Sequence, residues 1–416
     1  MAQVKSLRTD IKFKDTPIGK IPVDWEVASL SQVAEINMGQ SPPSQDCHDY
    51  EEGLPFYQGN ADFGPKYPTA RRWCKKPLKI ATEGEILISV RAPVGEINIA
   101  PHECCIGRGL GAIRATKINS GYLYQSMLFH RKALEKVSQG STFEAINRKD
   151  LSDFMIFAPS TNEQQKIAEI LTTVDDAIEE TDRIIEKTKE LKKGLMQKLL
   201  TRGIGHKKFK KTELGEIPVE WEVTRLKEIA NVRYGLGQPP ALDDDGIPMV
   251  RATNIHEGAI SKVGLISVKR DALPPSRNPF LKDGDIIVVR SGAYTGDIGL
   301  ITKEWEGAIA GYDLVVTPTS RVNAIFLTNY LLSNIIQKWY FASLSARSAQ
   351  PHLNSLQVEE TPIVLPSLSE QKEIADILTT IDLEIDSEET NKHNLETLKK
   401  SLMQVLLTGR VRVKLQ

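Results

Sequence analysis

The sequence lacks the features that would mark a membrane protein. It contains no run of eighteen apolar residues, and its first fifteen residues, MAQVKSLRTDIKFKD, show no signal-peptide pattern. The expected compartment is therefore the cytoplasm. The 416 residues, 40% hydrophobic and 26% charged, are typical of a soluble protein of two or three domains.

Cysteine is also scarce. The four cysteines, Cys47, Cys74, Cys104 and Cys105, have spacings that match no zinc or redox motif. They are expected to be reduced thiols that hold no metal. The net charge of −1 excludes a protein that is basic throughout. It does not exclude nucleic-acid binding, because local patches of charge decide that property.

Signatures of catalysis are missing as well. The sequence has no phosphate-binding loop, no H-E-x-x-H, no G-x-S-x-G and no G-x-G-x-x-G that opens a helix. The tripeptide at 278–280 resembles part of an adenine methyltransferase motif, but it lacks the second proline and a glycine-rich cofactor loop upstream. Acidic pairs at 175–176 and 179–180 are expected to face solvent on a helix. The sequence therefore predicts no catalytic residue, no metal site and no cofactor in this chain.

The most informative feature present is a long repeat. Pro159–Thr201 recurs at Pro366–Thr408 with 21 of 43 residues identical and no gap. Ser160 with Glu163, and Ser367 with Glu370, form S-x-x-E patterns typical of a helix start. Each copy is predicted to be one helix of about 38 residues, roughly 57 Å long at ~1.5 Å per residue.

Apolar residues in both copies recur at steps of three and four, the spacing of a coiled-coil seam. Thr181, Thr188, Glu388 and Lys392 interrupt the seam in its middle. Because each helix alone has little apolar surface, the two are expected to pack on each other. The predicted seam residues are Ile167, Leu171, Val174, Ile178, Ile185, Leu195, Leu199, Ile374, Leu378, Ile381, Ile385, Leu395, Leu402 and Leu406.

A second repeat precedes each helix. TPIGKIPVDWEV at 16–27 recurs as TELGEIPVEWEV at 212–223, with eight of twelve residues identical. Between this head box and the long helix, short β-branched runs bounded by Gly and Pro predict strands, notably a strand, turn and strand at 84–100 and again at 284–301. Helices are predicted at 121–138 and 322–342, and buried strands at 154–159 and 362–366. Each variable region is thus predicted to be a mixed α/β domain.

The remaining segments are short. TRGIGHKKFKK at 201–211 is a basic connector that is either a solvated linker or a phosphate contact. The first fifteen residues and the tail GRVRVKLQ could together complete a copy of this connector, which would give the chain a quasi-circular organisation.

Several polar groups are suited to DNA. Six basic residues and no acid lie between Lys66 and Lys79, with aromatic residues interleaved. Such cations could contact phosphates, although a solvated loop is the alternative. Amide and guanidinium groups beside glycine-bearing turns are of the types that pair with base edges. The candidate DNA-binding residues are Tyr57, Gln58, Asn60, Arg71, Arg72, Lys75, Arg91, Arg108, Ser141, Thr142 and Asn147, and in the second half Arg251, Asn254, Arg290, Tyr294, Arg347, Gln350 and Asn354.

The order of these boxes carries a resemblance to a known family. GKIPVDWEV, a variable domain, PSTNEQQKIAEIL and LKKGLMQKLLT are followed by GEIPVEWEV, a variable domain, PSLSEQKEIADIL and LKKSLMQVLLT. Over essentially its whole length the chain resembles the specificity subunit of type I restriction-modification systems.

The resemblance implies an α+β fold in which two mixed α/β target recognition domains are joined by two long antiparallel helices that form a coiled coil. The predicted segments are residues 1–159 (first recognition domain), 160–201 (first spacer helix), 202–366 (connector and second recognition domain), 367–408 (second spacer helix) and 409–416 (tail). Each recognition domain would read one half of a bipartite, asymmetric site in double-stranded DNA, and the helices would set the spacing.

The resemblance also implies partners. Two methyltransferase (modification) subunits would dock on the helices and use S-adenosylmethionine to methylate a flipped-out adenine. Two restriction subunits, which use ATP and Mg, would translocate and cleave DNA. From the residues alone, the alternative is a non-enzymatic coiled-coil scaffold that joins two protein-binding domains, with the basic segment incidental. The sequence predicts neither the bases that are read nor the gap between half-sites.

Overall fold

A computed structural model describes residues 11–138, 145–237, 240–274, 278–345 and 352–414. The chain divides into two compact units: unit 1 comprises residues 1–182 and 390–416, and unit 2 comprises residues 183–389. The division falls inside both long helices, so each helix contributes one half to each unit. The compact units therefore divide the chain differently from the predicted linear segments.

Unit 1 is built from short strands and helices that precede the first long helix. The strands are β1 (Phe13–Thr16), β2 (Gly19–Pro22), β3 (Glu26–Ser29), β4 (Ala34–Met38), β5 (Cys47–His48), β6 (Leu54–Tyr57), β7 (Trp73–Cys74), β8 (Ile80–Ala81), β9 (Ile86–Ser89), β10 (Ile97–Ile99), β11 (Cys104–Ile106), β12 (Leu110–Ala115) and β13 (Met155–Ala158). The helices are α1 (Leu30–Val33), α2 (Ser120–Phe129), α3 (Arg131–Ser138), α4 (Arg148–Asp153) and the long α5 (Thr161–Arg202), which continues into unit 2.

Unit 2 repeats much of this order. Its strands are β14 (Phe209–Thr212), β15 (Gly215–Pro218), β16 (Glu222–Arg225), β17 (Ala230–Tyr234), β18 (Leu242–Val250), β19 (Ile255–His256), β20 (Ala259–Ile260), β21 (Ile266–Val268), β22 (Ile286–Val288), β23 (Ile298–Leu300), β24 (Ile309–Ala310), β25 (Leu314–Pro318) and β26 (Pro362–Leu365). Its helices are α6 (Ala324–Leu332), a π-helix at Ile335–Phe341, α7 (Ala342–Ser345), α8 (Ser355–Glu359) and the long α9 (Leu368–Leu406), which continues into unit 1.

The two units share one sheet topology. The four-stranded sheet runs β10-β9-β12-β4 in unit 1 and β23-β22-β25-β17 in unit 2. The predicted strand–turn–strand segments are confirmed: Ile97 lies opposite Ile88 in one antiparallel pair, and Ile298 lies opposite Val288 in the other. In both units a parallel pair, β6 with β11 and β18 with β24, lies in a neighbouring sheet.

The strands predicted before the long helices are also confirmed, since β13 pairs with β3 and β26 with β16. The predicted helices at 121–138 and 322–342 are not continuous. The first is interrupted at His130, the C-cap of α2. The second ends at Ser333 and resumes as the π-helix. Apolar periodicity alone did not reveal these interruptions.

Each unit has its own core. In unit 1 one cluster lies between the four-stranded sheet and helices α2 to α4, where Ile88, Ile113 and Leu123 are fully buried. A second cluster joins Trp25 of the head box to Leu171 of α5 and Leu406 of α9. In unit 2 the largest of the clusters includes Trp221, Leu378 and Leu199. The head-box tryptophan is thus a core residue in both units, which explains why the box recurs.

The two long helices lie side by side within each unit. In unit 1, Lys399 and Lys392 of α9 pair with Asp175 and Asp182 of α5 at 2.6 and 2.7 Å. From the first pair to the second the residue number increases on α5 and decreases on α9, so the two helix segments are antiparallel. Unit 2 shows the same arrangement, with Lys189 pairing with Glu389 at 2.8 Å and Lys192 with Asp382 at 2.5 Å.

The glutamates of the two S-x-x-E patterns have a role that the sequence did not predict. The hydroxyl of Ser160 accepts a bond from the Glu163 amide at 3.4 Å, as a cap should. The Glu163 carboxylate, however, accepts bonds from Trp25 Nε1 at 2.9 Å and from Arg412 Nε at 2.6 Å. The helix start is therefore tied to the head box and to the chain's tail.

The equivalent junction in unit 2 uses a histidine from the connector. Glu370 accepts a bond from Trp221 Nε1 at 2.9 Å, and one of its oxygens lies 2.9 Å from His206 Nε2. His206 Nδ1 also lies 3.2 Å from Glu220. The connector in unit 2 thus takes the place that the tail takes in unit 1, as a quasi-circular organisation requires.

Candidate functional site

The polar residues singled out in the first half converge at one edge of unit 1. Gly109 N donates to Gln58 O at 3.1 Å, and Val90 N donates to Gly109 O at 2.9 Å. These bonds place Gln58, Arg108 and Arg91 on adjacent loops, and all three are exposed. We call these three residues the first loop edge.

Glycine makes this convergence possible. A Cβ at Gly109 would meet Gln58 O at 2.5 Å, and one at Gly39 would meet Gly107 O at 2.2 Å. The loops could not approach this closely with larger residues. The match between Gly39 and Gly235 in the two repeats has the same cause, because a Cβ at Gly235 would meet Gly311 O at 2.1 Å.

Unit 2 has the corresponding edge. Gly311 N donates to Val250 O at 2.8 Å, which brings the loop that carries Tyr312 beside Arg251. Arg290 joins them, because its backbone N–H donates to Asp313 Oδ1 at 3.1 Å. We call Arg251, Arg290 and Tyr312 the second loop edge.

Two tyrosines that the sequence did not suggest flank Arg290. Its guanidinium carbon lies 3.8 Å from the ring centroid of Tyr312 and 5.1 Å from that of Tyr234. Both rings are partly exposed, at 47% and 40%. The signal that could have found them is their position beside Gly235 and Gly311, the glycines at which the loops meet.

Tyr294 also lies on an exposed turn of unit 2. Its ring is 42% exposed, and its centroid lies 6.2 Å from that of His256 in an edge-on contact. Asn60 of unit 1 is half-buried at the start of a short 3₁₀ turn beside Gln58. Both residues lie on accessible loops.

Four candidates have structural roles instead. Tyr57 is 1% exposed, and burial raises the pKa of its hydroxyl to about 12, so its ring is unavailable to a base. Asn254 is fully buried, and its amide donates to Ser261 O at 3.2 Å and to Val263 O at 3.0 Å. For Tyr57 and Asn254 the prediction of a DNA contact is wrong.

Asn147 and Asn354 are helix caps. The Asn147 side chain accepts bonds from the backbone of Lys149 and Asp150, and the Asn354 side chain accepts one from Gln357. Their side-chain oxygens are therefore committed to the starts of α4 and α8, and both belong to capping boxes. The caps do not use the side-chain nitrogens, so the prediction that these amides read bases stays a prediction.

The basic segment is less positive than its sequence suggests, because acids from elsewhere lie against it. Lys66 lies 3.7 Å from Asp176 of α5. Arg72 lies 3.4 Å from Asp49, and Lys75 lies 2.7 Å from Glu52. Arg71 is exposed. The segment contains no acid in sequence, but in the structure acids offset part of its charge. Of its candidate residues Arg71, Arg72 and Lys75, Arg71 has no ion pair among the described residues, and phosphate contact by this segment stays a prediction.

Ser141, Thr142, Arg347 and Gln350 lie outside the described residues. The predicted solvation of the acidic pairs on α5 is wrong for Asp175. Its carboxylate accepts a bond from Gln125 at 2.6 Å and pairs with Lys399, and its side chain is only 14% exposed. It serves to join α2, α5 and α9.

The predicted seam residues all lie on the sheltered sides of the long helices. Ile167, Leu171, Ile185, Leu199, Ile374, Leu378, Ile385 and Leu406 are buried, and Val174, Ile178, Leu195, Ile381, Leu395 and Leu402 are half-buried. Thr181, in the weak middle of the seam, is 5% exposed and donates to Ala177 O at 2.9 Å. In contrast, Leu191 and Leu398 are about half exposed, at 55% and 47%.

Three of the cysteines lie together although they are far apart in the sequence. Cys47, Cys74 and Cys105 belong to one small apolar cluster with Phe56, and burial raises the pKa of the Cys105 thiol to about 12. All four cysteines are free thiols. In the part of the chain that the structure describes, no group of three His, Cys, Asp or Glu side chains is placed to hold a metal ion. None of the described helices has the length and apolar character needed to cross a bilayer.

Comparison with known families accounts for both halves of the chain. Residues 22–190 and 218–397 each match the type I restriction modification DNA specificity domain. The chain belongs to this family. The two matched ranges contain the two head-box repeats from Pro22 and Pro218 onward, and they contain both loop edges.

Two individual relatives match nearly the whole chain, and a third matches about half of it. The type I restriction enzyme MjaVIII specificity subunit of Methanocaldococcus jannaschii is 28% identical over 414 residues, which cover 97% of this chain and 96% of that protein. The EcoKI specificity subunit of Escherichia coli K12 is 23% identical over 422 residues, covering 94% and 89%. A putative MjaX specificity subunit from M. jannaschii is 42% identical over 193 residues, so the match spans only 45% of that relative.

Solved structures share the fold. The crystal structure of a type I restriction-modification S subunit from M. genitalium superposes with a TM-score of 0.62 at 16% identity, covering 94% of this chain and 97% of that one. A chain from a structural study of the assembly and conformational transition of a type I restriction-modification system gives a TM-score of 0.55 at 14% identity, with 94% and 99% coverage. The α+β architecture with two repeats is thus shared with these solved structures.

Proposed function

We propose that this chain is the DNA-specificity subunit of a type I restriction-modification complex and that each unit reads one half of a bipartite site. The observation that carries the proposal is the duplication: each half of the chain matches the specificity domain, and each unit has a loop edge with arginines, which are exposed in unit 1 and half-buried in unit 2. Guanidinium and amide groups on such loops can pair with base edges in the major groove. Because the two loop edges differ in residue type, the two half-sites should differ.

The proposed role of α5 and α9 is to form an antiparallel coiled coil that sets the distance between half-sites. Opposed ion pairs join the helices within each unit, and the seam side chains are sheltered. A long helix pair is stiff compared with a loop, so it can fix a spacing on DNA, where half-sites recur each ~34–36 Å.

Catalysis is proposed to reside in partners. Two modification subunits would dock on the helices and supply adenine methylation with S-adenosylmethionine, and two restriction subunits would supply cleavage with ATP and Mg. The chain itself would contribute recognition and assembly only. Because its proposed ligand is cellular DNA, we place its action in the cytoplasm.

Substitutions at the first loop edge should change one half-site only. Arg91→Ala, or Gln58→Ala, removes a candidate base contact from unit 1 and is expected to relax discrimination there by about 1–3 kcal/mol per lost bidentate contact. The measurement is single-molecule sequencing of methylated adenines in a host that carries the chain and its modification subunit. Lys20→Ala, on the β1–β2 hairpin, is the matched charge control. An unchanged methylated sequence in both edge variants would contradict this assignment.

Binding of the wild-type chain to random duplex DNA, measured over a range of salt concentrations, distinguishes a DNA reader from a protein-binding scaffold. A specificity subunit neutralises phosphates, so its affinity for duplex DNA should fall steeply as salt rises. A scaffold with an incidental basic segment would show a weak and nearly flat salt response.

A further inference from the structure

We infer that Arg290 reads a guanine in the half-site of unit 2, with Tyr234 and Tyr312 holding its guanidinium in the reading orientation. This inference rests on the proposed function, and it deepens it by naming the base type. Three observations carry it. The rings of Tyr234 and Tyr312 flank the guanidinium, an arrangement that we call the aromatic cradle; the backbone of Arg290 is hydrogen-bonded on both sides; and the guanidinium has a donor without a partner among the described residues.

The cradle fixes the plane of the cation. With Tyr312 at 3.8 Å and Tyr234 at 5.1 Å from the guanidinium carbon, Arg290 is held by two electron-rich rings. Ser355 N donates to the Tyr234 hydroxyl at 3.0 Å, which anchors one of these rings. The two rings restrict the rotation that a free arginine side chain would have.

The backbone beneath the side chain is fixed on both sides. Arg290 N donates to Asp313 Oδ1, and Arg290 O accepts a bond from Leu353 N at 2.8 Å. Asp313 is 3% exposed, and burial raises the pKa of its carboxyl. Its carboxyl accepts bonds from the backbone amides of Arg290 and Ala252, and among the described residues no hydrogen bond joins it to the guanidinium of Arg290.

The guanidinium of Arg290 has at least one hydrogen-bond donor that is not paired within the described residues. Its Nε is buried and has no hydrogen-bond partner among the described residues. Because folded proteins nearly always pair their buried polar groups, the unpaired Nε indicates that the guanidinium is not committed to an acceptor within this chain. The nearby Nε of Arg251 is in the same state.

A guanine edge fits this geometry better than a phosphate. Arginine pairs bidentately with guanine O6 and N7, and the pairing requires a guanidinium of fixed plane. A phosphate contact needs mainly a charge and gains little from two rings. In unit 1 the equivalent Arg91 has no such rings, because Arg108 stands where unit 2 has Tyr312 and Met38 where it has Tyr234.

The experiment uses the full chain in complex with its modification subunit and duplexes that carry the mapped recognition sequence. Each guanine is replaced in turn by 7-deazaguanine, which lacks the N7 acceptor, or by inosine, which keeps N7 and O6. At one position 7-deazaguanine should weaken binding about tenfold, whereas inosine should have little effect. Arg290→Lys should abolish most of the roughly 10–100-fold discrimination at that position while keeping the salt dependence.

Two variants test the cradle, and thermal unfolding confirms that each is folded. Tyr312→Ala should lose most of the guanine discrimination, whereas Tyr312→Phe, which keeps the ring, should lose much less. Uniform weakening of all sequences in Arg290→Ala, with a salt slope reduced by about one ion, would mean a phosphate contact and would overturn the inference. If the wild-type complex prefers a bipartite site and Arg290→Lys leaves that preference unaltered, the inference about Arg290 is wrong while the proposed function stands. Absence of any sequence preference in the wild-type complex would overturn the proposed function with it.

Discussion

Leu171→Asp is expected to lower the free energy of unfolding of unit 1 by at least about 4 kcal/mol. Leu171 is fully buried in the cluster that contains Trp25 and Leu406. The substitution removes the apolar side chain and places an unpaired carboxylate in its cavity. Since whole domains are stable by only about 5–15 kcal/mol, unit 1 should be largely unfolded at modest denaturant concentrations.

The same reasoning applies to Leu378, its repeat partner, which is fully buried in the core of unit 2. Urea denaturation followed by circular dichroism measures both variants. The matched controls are Leu398→Asp in unit 1 and Leu191→Asp in unit 2, which change exposed leucines on the same helices and should shift stability by within about 0.5 kcal/mol. Equal losses in buried and exposed variants would contradict the packing described. Because the helices are the proposed docking surface, the buried variants should also fail to retain the modification subunit in gel filtration.

Arg412→Ala is expected to cost about 3–5 kcal/mol, which is large for a residue four positions from the chain's last residue. The guanidinium bonds both oxygens of Glu163, whose side chain is 1% exposed, and both oxygens of Asp24. Without it, a buried carboxylate keeps only its bond from Trp25. Arg410→Ala, which changes an exposed arginine two residues earlier, is the control and should be nearly neutral.

The pH response gives a second signature of the same contact. Arg412 lowers the pKa of Asp24 below its ordinary 3.8, chiefly through the hydrogen bonds that it donates. The carboxylate therefore contributes stability above its unfolded pKa, and this contribution is lost as the pH falls through the lowered folded pKa. The difference in stability between wild type and Arg412→Ala should thus be present at neutral pH and shrink at strongly acidic pH. A difference that does not change with pH would contradict the ion-pair account.

Much of the scaffold is predictable from local signals in the sequence. The long helices follow from three- and four-residue spacing after Ser160 and Ser367, and the strand pairs follow from β-branched runs between glycines. The duplication itself predicts two similar units. These signals are local, or they compare the chain with itself, so they need no knowledge of tertiary contacts.

The candidate site was harder to predict because the same residue types serve the fold. The residues Asn147 and Asp150 form a capping box with the same spacing as the S-x-x-E pattern at Ser160, so the box could have been recognised from the sequence. Lys66 meets acids more than a hundred residues away, which no local pattern shows. The aromatic cradle of Arg290 depends on two loops that only the folded sheet brings together.

The central claim is that two readers are held apart by the paired helices, and one measurement tests it most directly. Seven residues are inserted after Lys187 in α5 and seven after Ser387 in α9, which preserves the seam and lengthens the pair by about 10.5 Å. A control chain carries the same seven residues after Gln416. Sequencing of methylated adenines should then show the same two half-sites separated by a gap about 3 base pairs longer, at ~3.4 Å per base pair. Retention of the original gap in the lengthened chain would contradict the claim.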